Sequence, residues 1–224
     1  MHRTYQPDNE TVRWVKKENG MLLIQAAEAW TGIQKEMKIT LDPEKAKVTL
    51  LHRLKNCGAW EIRLAAWALT LMKAGGLLVL PQVTDSTGLL PNRSLSLWSY
   101  TKLNDPRFRW GERYLAVQSD PLLEQPLKIG LQCRNGWAAY LRNRHLFVKR
   151  YVPVPHAPYP DYGSGFEAFV NQAVTEMETL SPLSRVKPGE TLEHTETWYL
   201  LDGVEVPESE RQLEEIEDRI TQVL

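Results

Sequence analysis

Apolar and polar residues alternate along most of this 224-residue chain. A period of two is the signature of strands whose two faces meet different surroundings. Residues 11–16 and 21–26 read as two strands joined by Glu18-Asn19-Gly20, where Asn-Gly is expected to supply the positive φ of a tight hairpin. Residues 32–41 alternate weakly until Asp42-Pro43 stops them, and 46–54 place Val48, Leu50 and Leu54 on one side. Residues 59–72 fit a strand with Trp60, Ile62 and Leu64 on one face, or a helix aligning Ile62, Ala66 and Leu69. Their period-two neighbours favour the strand. Residues 77–80 form a short apolar strand between Gly75-Gly76 and Pro81. A long irregular loop, 82–106, surrounds the run 95–100, and loops of that length often carry function.

After a strand at 114–118, residues 127–133 and 137–141 flank Asn135-Gly136 and read as a β-hairpin, with 146–151 a third strand of the same meander. Beyond the Pro-rich loop 153–160, residues 165–171 and 175–180 are two more strands, and Lys187-Pro188-Gly189-Glu190 turns into 192–201. The tail, 207–224, changes character. Leu213, Ile216 and Ile220 fall at helical spacing among charges, which predicts an amphipathic surface helix. About a dozen short strands and one terminal helix predict an all-β fold, a large antiparallel β-sandwich. No linker interrupts it, so residues 1–224 read as one domain.

Composition removes several function classes. With 27 basic and 28 acidic side chains scattered along the chain, there is no electrostatic case for a nucleic-acid partner. No apolar run approaches the ~18 residues of a membrane span, and the opening Met1-His2-Arg3-Thr4-Tyr5-Gln6 lacks a signal-peptide core. Cys57 and Cys133 have neither metal-ligand nor disulfide-framework spacing, which suits reduced thiols in the cytoplasm. The five histidines, His2, His52, His145, His156 and His194, are dispersed, and no phosphate-binding glycine loop is present, so neither a metal nor a cofactor is expected.

The candidates for chemistry are acidic. Alternation in 165–171 puts Phe166, Ala168 and Val170 on one face and Glu167, Phe169 and Asn171 on the other. A carboxylate beside an aromatic ring can grip or deprotonate a sugar hydroxyl; it can equally stand on a solvated face. Glu176 and Glu178 share a face, as do His194, Glu196 and Trp198, although such polar rows often merely decorate an exposed sheet. The loop Tyr159-Pro160-Asp161-Tyr162-Gly163 precedes the Glu167 strand, where binding groups tend to collect.

Four pieces in this order, Gly165-Phe166-Glu167, Leu180-Ser181-Pro182-Leu183, Lys187-Pro188-Gly189-Glu190 and Glu196-Thr197-Trp198-Tyr199, resemble the C-terminal part of the galactose-mutarotase-like superfamily. Thr31-Gly32-Ile33-Gln34-Lys35-Glu36, Phe147-Val148-Lys149 and Tyr159-Pro160-Asp161 are similar to an uncharacterised branch of it, close to the DUF4380-type proteins. The resemblance covers most of residues 5–203. It implies the mutarotase-like supersandwich, with Glu167 at the position of the base that takes the anomeric proton in aldose 1-epimerases. The histidine acid of those enzymes is not matched, because Ala66 or Trp67 stands in its place. The abrupt opening resembles the interior of such a protein, which implies missing N-terminal strands and self-association through unpaired sheet edges.

Three readings follow. The first is a carbohydrate-binding protein in which Glu167 accepts from sugar hydroxyls, Trp67 stacks, and Lys149, Tyr159 and Asp161 fix orientation. The second is an aldose 1-epimerase-like isomerase with Glu167 as base and a substituted acid, Lys149 or His194. The third is a structural or interaction sandwich with no site.

Overall fold

The structure is a computed structural model and describes residues 10–223. The opening segment and His2 lie outside the described residues. Two antiparallel sheets dominate. The first begins with a meander, β1 (Val12–Lys17), β2 (Gly20–Gln25), β3 (Ile33–Leu41) and β4 (Lys47–Asn56). It then continues through distant parts of the chain. The long strand β17 (Thr191–Leu201) joins β4 to β13 (His145–Tyr151), and β12 (Trp137–Arg142), β7 (Leu77–Pro81), β10 (Tyr114–Gln118) and β9 (Phe108–Trp110) complete ten strands. The second sheet has five, in the order β6 (Trp67–Lys73), β15 (Val174–Leu180), β14 (Phe166–Val170), β11 (Leu127–Leu131) and β8 (Leu95–Leu97). A two-strand ribbon pairs β5 (Ile62–Leu64) with β16 (Ser184–Val186). The architecture is an all-β sandwich.

Alternation decides what each face buries. Leu127, Ile129 and Leu131 of β11, with Phe166, Ala168 and Val170 of β14, form the inner face of the small sheet. They pack on Leu78 and Leu80 of β7 and on Leu115 and Val117 of β10. The opposite face of β7, Leu77 and Val79, belongs to a second core that the C-terminal helix (Glu210–Val223) closes with Ile216 and Ile220. A strand covered on both sides has no reason to alternate, which explains the continuous apolar run at 77–80.

Several expectations are corrected. Residues 127–141 are not a hairpin: β11 and β12 lie in different sheets, and Cys133–Gly136 is the corner where the chain crosses between them. Gly136 has φ 70 there, and its N–H donates to Cys133 O at 3.0 Å. Alternation fixes which side a residue faces but leaves its partner strand open. The tight hairpin is one turn later, at Asn143-Arg144, with φ 52 and 67, joining β12 to β13. The β1–β2 hairpin forms, yet neither Asn19 nor Gly20 is among the positive-φ residues. Gly20 is needed for close approach, since a Cβ there would lie 1.9 Å from Ile39 O. Residues 59–72 are strand rather than helix, but they divide into β5 and β6, which belong to different sheets.

Candidate functional site

The β14–β15 hairpin sets Glu167 directly opposite Glu178, and Phe169 opposite Glu176. Because Phe166, Ala168 and Val170 are claimed by the core, all four of those side chains face outward. The neighbouring β11 places Lys128 beside Phe169 and Gly130 beside Glu167. A Cβ on Gly130 would come within 2.4 Å of Ser164 Oγ, so no larger residue fits next to the glutamate. On the other flank, β6 contributes Leu69 opposite Glu178, and Trp67.

Like charges directly opposed across a sheet repel. Lys128 resolves the conflict: its Nζ lies 2.8 Å from Glu167 Oε2 and 2.8 Å from Glu178 Oε2. The Trp67 indole N–H also donates to Glu178 Oε2. The ammonium lies 5.0 Å from the Trp67 ring centroid and 4.7 Å from that of Trp98, within cation–π range of both. Tyr100 adds an edge-on contact to Phe169.

This triad is desolvated. Glu167 is 2% exposed and Glu178 0%, while Trp67 keeps 47% of its surface in solvent. Oε1 of each glutamate is buried without a hydrogen-bond partner among the described residues. Burial pushes the Glu167 carboxyl up to about 7 despite the pull of Lys128, and the carboxyl of Asp161 set against it adds to the rise. Burial works against the Lys128 charge, but its hydrogen bonds to Glu167 and Glu178 prevail and hold its pKa above the ordinary lysine range. Near neutral pH the site is therefore a fixed cation beside a carboxyl poised to give or take a proton.

Asp161 reaches Glu167 from the helical turn Pro160–Gly163. Asp161 and Tyr162 both adopt left-handed backbone, φ 48 and 63, a strained arrangement for non-glycine residues. Ser96 Oγ and Ser164 Oγ hold it in place by donating to Asp161 O at 2.6 and 2.9 Å. Tyr159 turns away, its hydroxyl accepting from Val154 N–H at 2.9 Å. Tyr159 and Gly163 line a cavity of about 480 Å³ with Gln132, Arg134 and His156, so the loop presenting Asp161 to Glu167 also walls this neighbouring hollow.

Lys149 is elsewhere. It points from β13 into the space between the sheets, 0% exposed, donating to Ala68 O at 2.8 Å, Met177 O at 2.9 Å and Thr70 Oγ1 at 3.0 Å. Its ion-pair partner is Glu196, at 2.7 Å. Burial lowers the Lys149 pKa against the pull of Glu196. Burial would raise Glu196, but His52 and Lys149 overcome it and bring the carboxyl down to about 2. His52 Nε2 lies 3.5 Å from Glu196, an ion-pair distance too long for a good hydrogen bond. Burial takes His194 down to about 4, and Thr179 Oγ1 sits 2.8 Å from its Nε2. The row His194, Glu196, Trp198 is thus not decoration on a solvated face: its two polar members are buried in a network that joins the sheets.

The structure brings Glu167, Asp161 and Trp67 together, sets Tyr159 beside them on the cavity side, and places Lys149 and His194 on the far side of the small sheet. Lys128 and Trp98 escaped the sequence reading. The available signal was a lone lysine inside the otherwise apolar strand Leu127–Leu131.

An antiparallel β-sandwich carrying a buried acid–lysine–acid centre on the outer face of its smaller sheet is the class these observations define. Its structural neighbours are aldose 1-epimerase and galactose-mutarotase-like proteins, and the chain has their fold. A candidate aldose 1-epimerase from Klebsiella pneumoniae superposes with TM-score 0.57 at 13% identity, over 94% of this chain and 57% of that one. A galactose mutarotase-like protein from Lactobacillus casei gives TM-score 0.54 at 10% identity, over 86% and 73%. A galactose mutarotase-related enzyme from Lactobacillus acidophilus gives 0.55 at 7%, over 87% and 72%. The chain thus spans little more than half the length of the Klebsiella protein. No family model matches it, and neither does any curated protein. Among the described residues, no helix is long and apolar enough to cross a membrane.

Proposed function

We propose that this protein binds a carbohydrate on the outer face of its five-stranded sheet, centred on Glu167. The observation that carries the reading is the pair of buried, unpartnered oxygens, Glu167 Oε1 and Glu178 Oε1, beside the two indoles of Trp67 and Trp98. Unpaired buried acceptors are costly, and a polyol supplies hydroxyl donors for them. The indole faces suit the C–H face of a pyranose. Fold likeness to sugar epimerases agrees with this but identifies no ligand, because one fold hosts many functions. The test is isothermal titration of the full chain with a panel of mono- and disaccharides, with tryptophan fluorescence as a second readout. Saturable heat that disappears in Glu167→Ala supports the site; a flat response across the panel refutes it.

A second reading, aldose 1-epimerase-like catalysis, is favoured by one observation: Glu167 sits against a second carboxyl, Asp161, with its pKa near 7. General acid–base chemistry needs a base and an acid matched to the working pH. Lys149 and His194 stand across the sheet from Glu167, which leaves Asp161 as the second carboxyl set against it. Polarimetry of freshly dissolved glucose and galactose tests it. Mutarotation no faster with the wild-type protein than with Glu167→Gln refutes catalysis while leaving binding intact.

A further inference from the structure

We infer that the sugar taken by this face carries a free amino group, a hexosamine bound as its ammonium with Glu176 as counter-ion. The inference rests on the carbohydrate reading and narrows it to a substrate class. Glu167 and Glu178 hold one ammonium, that of Lys128, with Glu176 close enough to feel its charge and Asp161 set against Glu167. Lys128 is occupied by Glu167 and Glu178. Glu176 stands one cross-strand pair along, opposite Phe169 on one side and Leu71 on the other, half-buried and without an ion pair or hydrogen bond among the described residues. Burial and the charge of Glu178 both disfavour its ionised form. An arriving cation relieves both.

The ligand can also satisfy the buried oxygen Glu178 Oε1, which has no hydrogen-bond partner among the described residues. An ammonium brings three donors and the right charge, and the sugar hydroxyls bring more. Leu69, Leu71 and Phe169 offer apolar surface beside Glu176 for the pyranose ring. A phosphate or carboxylate on the sugar meets the opposite situation, an excess of like charge in a partly desolvated place. A further cation on this face, Lys73, is exposed at the end of β6 opposite Val174. Arg134 lines the adjoining cavity beyond the Tyr159–Gly163 loop, which makes a hexose 6-phosphate the competitor that the test must include.

The experiment is titration calorimetry of the full chain at about pH 6.5, where a primary amine is charged. The ligands are glucosamine, galactosamine, their N-acetyl forms, the parent hexoses and glucose 6-phosphate. One of the free amines should bind roughly tenfold tighter than its parent hexose and its N-acetyl form. That advantage should shrink in about 0.5 M salt. Glu176→Gln should erase the preference while leaving parent-hexose affinity within about twofold. Leu71→Lys, which sets an internal ammonium opposite Glu176, should erase it too. Equal affinity for amine and parent, tighter binding of glucose 6-phosphate, or a preference that survives in both variants overturns the inference and leaves the sugar site standing. Absence of binding to every sugar removes the carbohydrate reading itself.

Discussion

Replacing Glu167 with glutamine should stabilise the protein at neutral pH, by an amount that changes with pH in one direction only. The carboxyl titrates at about 7 in the fold, against an ordinary value of 4.5. Between those values the folded chain keeps a proton that the unfolded chain has released. Native protein then binds more protons, and stability falls as pH rises through that window. A displacement of this size is worth about 3 kcal/mol. Glutamine cannot ionise, but its carbonyl can accept from Lys128 and its amide is turned towards Asp161. The two proteins should therefore agree within about 1 kcal/mol near pH 4.5, with the variant ahead by up to about 3 kcal/mol at pH 8. The difference, not either curve alone, is the quantity to measure. His194, lowered from 6.5 to about 4, has the opposite slope: its contribution is complete above 6.5 and is lost as pH falls towards 4. That term is common to both proteins and cancels. Urea unfolding followed by tryptophan fluorescence at about pH 4.5, 6 and 8 gives the numbers, provided the m-values agree. A constant difference across the three pH values, or a variant that falls behind as pH rises, would refute the buried, proton-holding Glu167.

The buried pair makes a second prediction. Lys149→Met alone should cost about 3–5 kcal/mol by stranding Glu196, and adding Glu196→Gln should recover part of that loss, read by denaturant melts of the single and double variants. Asp161→Asn should bring the Glu167 carboxyl down from about 7, because Asp161 contributes to the rise; carboxyl-carbon NMR titration measures it, and an unmoved Glu167 disproves the contact. Gly20→Ala should destabilise by about 1–3 kcal/mol or shift the β2–β3 register, since its Cβ would collide with Ile39 O; a melting temperature equal to wild type counts against the packing described.

What the sequence revealed, and what it hid, divides along a physical line. Period-two alternation is a property of one strand, so the outward face of Glu167 and the inward face of Phe166 could be read from 165–171 without knowing any neighbour. Lys128 is different. Its role depends on β11 lying beside β14, and Asn135-Gly136 suggested β12 as its partner instead. A glycine turn marks where a chain bends, and the same bend serves a hairpin or a passage between sheets. Lys149 is the converse case. A lysine next to Phe147 and Val148 resembles an orienting group at a site, and only the pairing of β13 with β17 shows that Glu196 claims it inside the core. Asp161 could be set near Glu167 because a short loop joins them, whereas Trp67 entered only through the resemblance, at the place of the unmatched histidine.

The position of β17 has a consequence for how the protein is made. The ten-stranded sheet consists of an early block, β1 to β4, and a later block from β7 to β13, and β17 alone bridges them. Until residues 191–201 leave the ribosome, β4 and β13 each expose an unpaired edge. The strand that comes last in chain order among those of the two sheets is thus the keystone, and its pairing with β4 joins residues far apart in sequence, a slow event. Nascent chains arrested before Thr191 should carry two adhesive edges and depend on chaperones, whereas chains extended past Leu201 should have lost both edges. A stall on either side of that short interval should therefore separate a chain with two open edges from one whose large sheet is joined.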